Sequence, residues 1–180
     1  MICVFLANGF EEVEALTPVD FLRRCELDVK MVGVSGPVAV GSHGIAVACD
    51  LVAEELDLSQ VEAVILPGGM PGTLNLEASD VVHQAVQACY DRGQIVAAIC
   101  AAPSVLGHMG LLEGKKAVCF PGFEDQLLGA EYQDAPVVRD GNIITSKGAG
   151  TASQFAFALA EAFCSAERAR VLREGIQWQA

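Results

Sequence analysis

The residue with the clearest chemical promise is Cys100. It ends the apolar run "VAAICAAP" (96–103), where a Val/Ile stretch gives way to two alanines and a proline. Such a run is a buried strand that turns sharply into a helix beginning at Pro103, whose ring suits a first helical turn. A cysteine at that turn faces free N–H groups and the positive end of a helix dipole, both of which stabilise a thiolate. Small Ala101 and Ala102 leave the sulfur accessible, as in a nucleophile elbow. A thiolate beside N–H donors is a nucleophile with an oxyanion hole. Cys100 is therefore expected to be thiolate-rich at neutral pH.

None of the three histidines is near Cys100 in sequence, so the activating group is sought among the acids. "NGFEEVEALTPVDF" (8–21) holds three glutamates. At 100° per residue Glu14 lies about 40° from Phe10 and about 20° from Phe21, on the apolar face of a helix. Glu11 and Glu12 point elsewhere and are expected to be solvated acids of the first turn. Pro18 removes the N–H that would bond the Glu14 carbonyl, so this helix is expected to be distorted or to start late. A carboxyl among apolar groups has its pKa raised and can stay protonated near pH 7. In that form it can donate a hydrogen bond to a thiolate and exchange protons with a substrate. A third feature, the turn in "VILPGGMPG" (64–72), offers the backbone N–H groups of Gly68 and Gly69 for close approach to a ligand.

The elements that must position these residues alternate along the chain. Strand-like runs at 2–7, 29–34, 63–66 and 94–100 are separated by helical stretches between about Phe10 and Cys25, over 79–92 with a Ser79 cap, and from Pro103. "VAVGSHGIAVAC" (38–49) is a hairpin around Gly41–Gly44, and "APVVRDGNIITSK" is a second one turning at Asp140-Gly-Asn. "KAVCF" (116–120) is a further strand, and helices over 151–164 and 166–175 close the chain. Continuous Val/Ile strands separated by helices indicate a doubly wound α/β fold, a mostly parallel sheet covered on both faces. In such sheets ligands bind beyond the carboxyl ends of the strands, where Cys100 and the Gly68–Gly69 turn fall.

Composition narrows the function. With 180 residues, 52% hydrophobic and without a linker, residues 1–180 read as one domain. Eleven basic residues against 23 acids, a net charge of -12, argue against nucleic acid or an anionic membrane face as a partner. No apolar run reaches the ~20 residues of a spanning helix, and the first residues lack a basic n-region. Seven cysteines without CxxC pairing are neither a disulfide framework nor a zinc pattern, so no metal is expected and a reducing cytoplasm is the natural home. The six other cysteines are expected to pack, and His83 and His108 to be partly exposed helix residues. No P-loop or other cofactor motif is present, and no cofactor is expected.

Taken together and in this order, "GFEEVEALTPVD", "VILPGGMPG", "AAICAAP" and "TSKGAGT" (145–151) resemble the ThiJ/PfpI superfamily, in its parkinsonism-associated deglycase-like branch. The resemblance covers nearly the whole chain. It implies a flavodoxin-like sheet, a homodimer, Cys100 as nucleophile and Glu14 as its protonated carboxyl partner. It also implies that Gly69 and Ala101 supply oxyanion N–H groups, and that Arg24 in "FLRRCE" lies near the reactive cysteine across a dimer interface. The chain departs from relatives at four places. Ala101 replaces the histidine of the protease-like branch, which argues against a Cys–His peptidase. Phe120 stands where the human-type branch has histidine, and Lys147 where arginine or glutamine is common. His43 stands where arginine is frequent, which bears on anion binding.

The activity implied is that of a cofactor-independent enzyme on α-oxoaldehydes such as methylglyoxal, or on their early glycation adducts, with a small aldehyde or a glycated protein as substrate. An alternative is a redox-sensing stress protein or chaperone acting through oxidation of Cys100. A role in thiamine biosynthesis has no supporting feature in the chain.

Overall fold

The computed structural model describes residues 1–179. In chain order the elements are β1 (Ile2–Leu6), α1 (Glu12–Arg24), β2 (Val29–Gly33), β3 (Val38–Val40), β4 (Ala46–Ala48), β5 (Leu51–Val52), β6 (Ala63–Leu66), α2 (Gly72–Glu77), α3 (Asp80–Asp91), β7 (Val96–Ile99), α4 (Pro103–His108), β8 (Lys116–Ala117), β9 (Glu131–Tyr132), β10 (Val137–Asp140), β11 (Ile143–Ser146), α5 (Ala152–Phe163) and α6 (Ala166–Gly175). Seven strands form one sheet in the order β10-β11-β7-β6-β1-β2-β5. All neighbours in it run parallel except the edge pair β10–β11, a hairpin.

Alternation along the central strand shows why both faces are covered. Ile2, Val4 and Leu6 of β1 pack into one apolar cluster with Ala15, Val19 and Leu22 of α1 and Phe155 and Leu159 of α5. Cys3 and Phe5 pack into the opposite cluster with Val82 and Val86 of α3 and Leu106 of α4. A parallel strand buried on both faces must be apolar throughout, and all five residues of β1 are buried. From β1 the chain winds outward to β2 and β5, then returns on the other side of β1 to β6. The switch point between β1 and β6 opens a crevice at their carboxyl ends.

Local expectations met three modifications. Helix α1 starts at Glu12, two residues after Phe10, and continues unbroken through Pro18. The run at 116–120 shortens to a two-residue strand, because Val118 N–H leaves the ladder to donate to the Thr145 hydroxyl at 3.0 Å. It pairs with β9 in a small parallel sheet of its own. The 38–49 hairpin also forms a separate two-stranded sheet, and its tip is fixed to the start of α1. No helix among the described residues is long and apolar enough to cross a membrane.

Candidate active site

Four adjacent carboxyl ends, those of β1, β6, β7 and β11, converge on two side chains. Cys100 follows β7 directly with φ 67°, a left-handed conformation that costs a non-glycine residue of order 1–3 kcal/mol. Two backbone bonds hold it there: its N–H donates to the Ser146 carbonyl at 3.0 Å, and its carbonyl accepts from Phe120 N–H at 2.8 Å. The elbow expected at this position is present, and it leaves the sulfur at the crevice. Helix α4 beyond it has only six residues, so its dipole contributes little; the nearby amides matter more. Those of Gly69 and Ala101 favour the anionic sulfur and lower the thiol pKa.

Glu14 enters from the first turn of α1, on the face shared with Phe21 as its periodicity predicts, whereas Phe10, also buried, precedes the helix and lies outside that period. It is 1% exposed. Its Oε2 accepts from Gly68 N–H at 2.9 Å, and the carboxyl also meets the Cys100 thiol and the Ala149 amide. Burial pushes its pKa up to about 7 against the bonds from Cys100, Gly68 and Ala149, with Glu11 adding repulsion. The protonated carboxyl expected near neutral pH is therefore accessible.

The sulfur behaves differently from expectation. Burial, the charge of an ionised Glu14 and its hydrogen bond push the Cys100 thiol up to about 12, against the Gly69 and Ala101 amides. A resting thiolate is thus opposed by burial, and further opposed whenever Glu14 is ionised. The two groups titrate as one coupled pair.

Gly68 plays a role other than that expected. Its N–H is consumed by Glu14, and its carbonyl accepts from Glu11 N–H at 2.9 Å, so it presents no amide to a substrate. A Cβ on Gly68 would lie 2.5 Å from Cys100 Cβ and 2.7 Å from Glu14 Oε2. The glycine is needed so that helix α1 and the cysteine turn can close on each other.

Beside the pair lies a cleft of about 330 Å³ lined by Phe120, Pro121, Lys147 and the 148–151 backbone. Gly148 connects the two, since a Cβ there would lie 3.2 Å from the Phe120 ring and 3.9 Å from Glu14 Oε1. Lys147 pairs with Asp134 at the edge of this cleft. A second cavity, of about 180 Å³, is lined by Arg24, Cys25 and Arg168 among others, with neither Cys100 nor Glu14 on its wall.

Arg24 is not brought to Cys100 within the chain. It lies about 15 Å along α1 from Glu14 at 1.5 Å per residue, and it pairs with Asp20 at 2.8 Å. His43 sits at the hairpin tip, with its side chain 70% exposed. Its Nδ1 is 2.9 Å from Glu12 Oε2 and 3.3 Å from Glu11 Oε2; bonding to Glu12 first, then both charges, raise its pKa.

Glu12 is a correction to the sequence reading, because it is buried at 4% exposure rather than solvated. Burial pushes its carboxyl up, but bonds from the His43 ring and from the amides of His43 and Ile45 outweigh that and hold it at about 2. Glu11, Glu12 and His43 bring three potential metal-ligand atoms within 4.8 Å of one another, and the Glu12 and His43 atoms already serve each other as hydrogen-bond partners. His83 and His108 lie on α3 and α4 as expected, bonded to the Glu77 carbonyl and the Glu77 side chain respectively. All seven cysteines are free thiols.

The chain matches the DJ-1/PfpI family over residues 1–162. It is 35% identical over 176 residues to the protein dj-1beta of Drosophila melanogaster, covering 96% of this chain and 94% of that one. A deglycase from Pyrococcus abyssi is 32% identical over 152 residues, 83% of this chain and 90% of its own. Among solved structures, oxidized DJ-1 from Toxoplasma gondii superposes with a TM-score of 0.95 at 30% identity, over 99% of this chain and 98% of that one. A cysteine-to-alanine mutant of a DJ-1 superfamily protein from Salmonella typhimurium gives 0.93 at 35% identity, with the same coverage. A family match over most of the sequence, relatives at this identity along nearly their whole length, and the cysteine-centred site just described agree: the chain is a member of the DJ-1/PfpI family.

Proposed function

We propose that the chain is a cysteine enzyme acting on α-oxoaldehydes or their early glycation adducts, with Cys100 as nucleophile and Glu14 as proton shuttle. The observation that carries this reading is a buried carboxyl, raised toward neutrality, that closes with a partly exposed cysteine around Gly68 beside the sheet's switch point. The deglycase name of the Pyrococcus abyssi relative supports it.

The reactive form has the proton on Glu14 and the charge on sulfur. With the thiol pushed up to about 12 and the carboxyl to about 7, this is the less populated way for the coupled pair to share one proton, and addition to the aldehyde consumes it as it forms. The Gly69 and Ala101 amides then face the anion. The sulfur adds to the aldehyde carbon, the carbonyl electrons move to oxygen, and Glu14 delivers its proton there, giving a hemithioacetal. The carboxylate so formed removes the proton from the former aldehyde carbon, the hydroxyl proton passes to the neighbouring oxygen through the enediol, and Glu14 returns its proton to the neighbouring carbon. The product is a thioester of a 2-hydroxy acid, and water releases lactate from methylglyoxal and restores Cys100. Hydrogen only changes position and one water is added, so no oxidant or reductant enters.

Gly69 and Ala101 are assigned to the sulfur and oxyanion, and Gly68 to holding Glu14. A second copy that brings Arg24 toward the site is part of the proposal; a monomeric mass in solution at micromolar concentration would remove it. The reading as a whole is tested by product analysis with methylglyoxal. The native chain is expected to form lactate steadily and Cys100→Ser to form none. Equal lactate from both would refute the role of Cys100, and stoichiometric oxidation of Cys100 without lactate would favour a redox sensor instead.

A further inference from the structure

The turn of α1 that carries Glu14 lacks the usual supports of a helix start. Glu11, at its cap position, makes no side-chain cap bond, and Pro18 has no N–H to give the Glu14 carbonyl. The turn's backbone tie to the sheet is Glu11 N–H to the Gly68 carbonyl at 2.9 Å, and no cap side chain serves the amides of the first turn. Yet Glu14 must be held to within a fraction of an ångström if it is to pass protons to and from Cys100 and its substrate.

The missing anchorage comes from thirty residues downstream. Glu12 Oε1 accepts from His43 N–H at 2.8 Å and from Ile45 N–H at 3.4 Å. Its Oε2 meets His43 Nδ1 at 2.9 Å and the Ser42 hydroxyl at 3.4 Å. The loop is shaped around this carboxylate, because a Cβ on Gly41 would sit 2.3 Å from Glu12 Cδ and Oε1. It is also secured independently of Glu12. Ser42 N–H donates to the Phe10 carbonyl at 2.7 Å, Gly9 N–H to the Val40 carbonyl at 2.8 Å, and Val40 N–H to Asn8 Oδ1 at 2.9 Å. Two residues apart on a helix, Glu12 and Glu14 point about 200° apart. One side of a single turn is thus gripped by the hairpin while the other side presents the carboxyl to Cys100.

We propose that Glu12 is a positioning residue: clamped by the 41–45 hairpin tip, it fixes the first turn of α1 and thereby sets Glu14 against Cys100. This rests on the assignment of Glu14 as the partner of Cys100, but its test need not rest on aldehyde turnover. The pH profile of Cys100 alkylation by iodoacetamide reports directly on the Glu14–Cys100 contact, whether or not methylglyoxal is the substrate.

In Glu12→Ala the alkylation midpoint is expected to move toward that of Glu14→Leu while circular dichroism stays native. kcat for methylglyoxal is expected to fall by about 100-fold, the scale of a small misplacement of a catalytic group, with KM changed little. Glu12→Gln, which keeps the shape and the acceptor oxygen, is expected to restore most of both. His43→Ala, which removes the ring's bond at the solvent edge, is expected to move the midpoint in the same direction by less. A folded Glu12→Ala with a native alkylation profile overturns the proposal. Should that variant not fold, a native profile in His43→Ala overturns it. Displaced alkylation in Glu12→Ala, with no lactate formed even by the native chain, would leave the clamp standing and sink only the aldehyde reading.

Discussion

Glu12 and Glu14 occupy one helical turn, carry the same functional group and are both almost fully buried. Yet the hairpin side holds its carboxyl at about 2, while the sheet side raises its carboxyl to about 7. Burial acts in the same direction on both, since removing water disfavours either anion. The difference lies in the donors. Glu12 meets two backbone amides and a histidine ring that can carry charge. Glu14 meets two amides and a thiol, and faces the negative charge of Glu11. Donors decide between a permanently charged strut and a proton store, and on this helix the two roles sit side by side.

The strongest way to break the comparison is to remove the proton store and leave its shape. In Glu14→Gln the amide still donates toward Cys100 but moves no proton. Lactate formation is therefore expected to fall by ~100-fold or more, the range general acid–base catalysis contributes, while Cys100 remains reactive toward iodoacetamide. Near-native turnover would show that Glu14 is not the shuttle.

A smaller effect, of opposite sign at the two carboxyls, is expected in stability. Glu14 titrates near 7 when folded and near its ordinary 4.5 when unfolded. Its burial therefore costs nothing below about 4.5, and the cost grows as pH rises to 7. Glu14→Gln escapes this, so urea unfolding should show it gaining on the native chain by roughly 3 kcal/mol at most above pH 7, with the gain vanishing at pH 4. For Glu12 the folded value is the lower one, so its contribution is present above about 4.5 and is lost as pH falls toward 2. Glu12→Gln should thus lose stability near pH 7, by less than the Glu14 effect because the His43 partner is open to solvent and screened. Pairs of unfolding curves with the same pH trend would contradict the contrast.

Which of these features the sequence displayed follows from range. The sheet was legible because β1, β6 and β7 are uninterrupted apolar runs, a pattern that only a doubly covered parallel strand requires. Glu14 was legible because a helical period aligns it with buried Phe21; Phe10, equally buried, precedes the helix and was no part of that period. The elbow at Cys100 was legible from a strand running into Ala-Ala-Pro. Helix α2 was hidden in "MPGTLNLE", whose Pro-Gly start reads as a turn and whose six residues are too short to show a period. Glu12 was hidden for a different reason. Its cover is a hairpin tip about thirty residues away, and helix periodicity reports only the face turned to the helix's own core. The glycines of "PGG" were visible as close-approach positions, but the identity of the approaching group, Glu14 at Gly68 rather than a substrate, is a tertiary fact. The arginine and dimer expectations rested on resemblance, and a single chain leaves Arg24 with Asp20.

The central proposal is that Glu14, in its protonated form, stabilises the Cys100 thiolate that reacts. Its most direct test is the ultraviolet titration of that thiolate in the native chain and in Glu14→Leu, with the other cysteines corrected for by Cys100→Ser. If the proton resides on Glu14, leucine removes a hydrogen-bond donor from the sulfur and the midpoint of Cys100 rises. A midpoint that falls in Glu14→Leu would mean that Glu14 is ionised beside the thiol and holds it protonated, and would contradict the proposal.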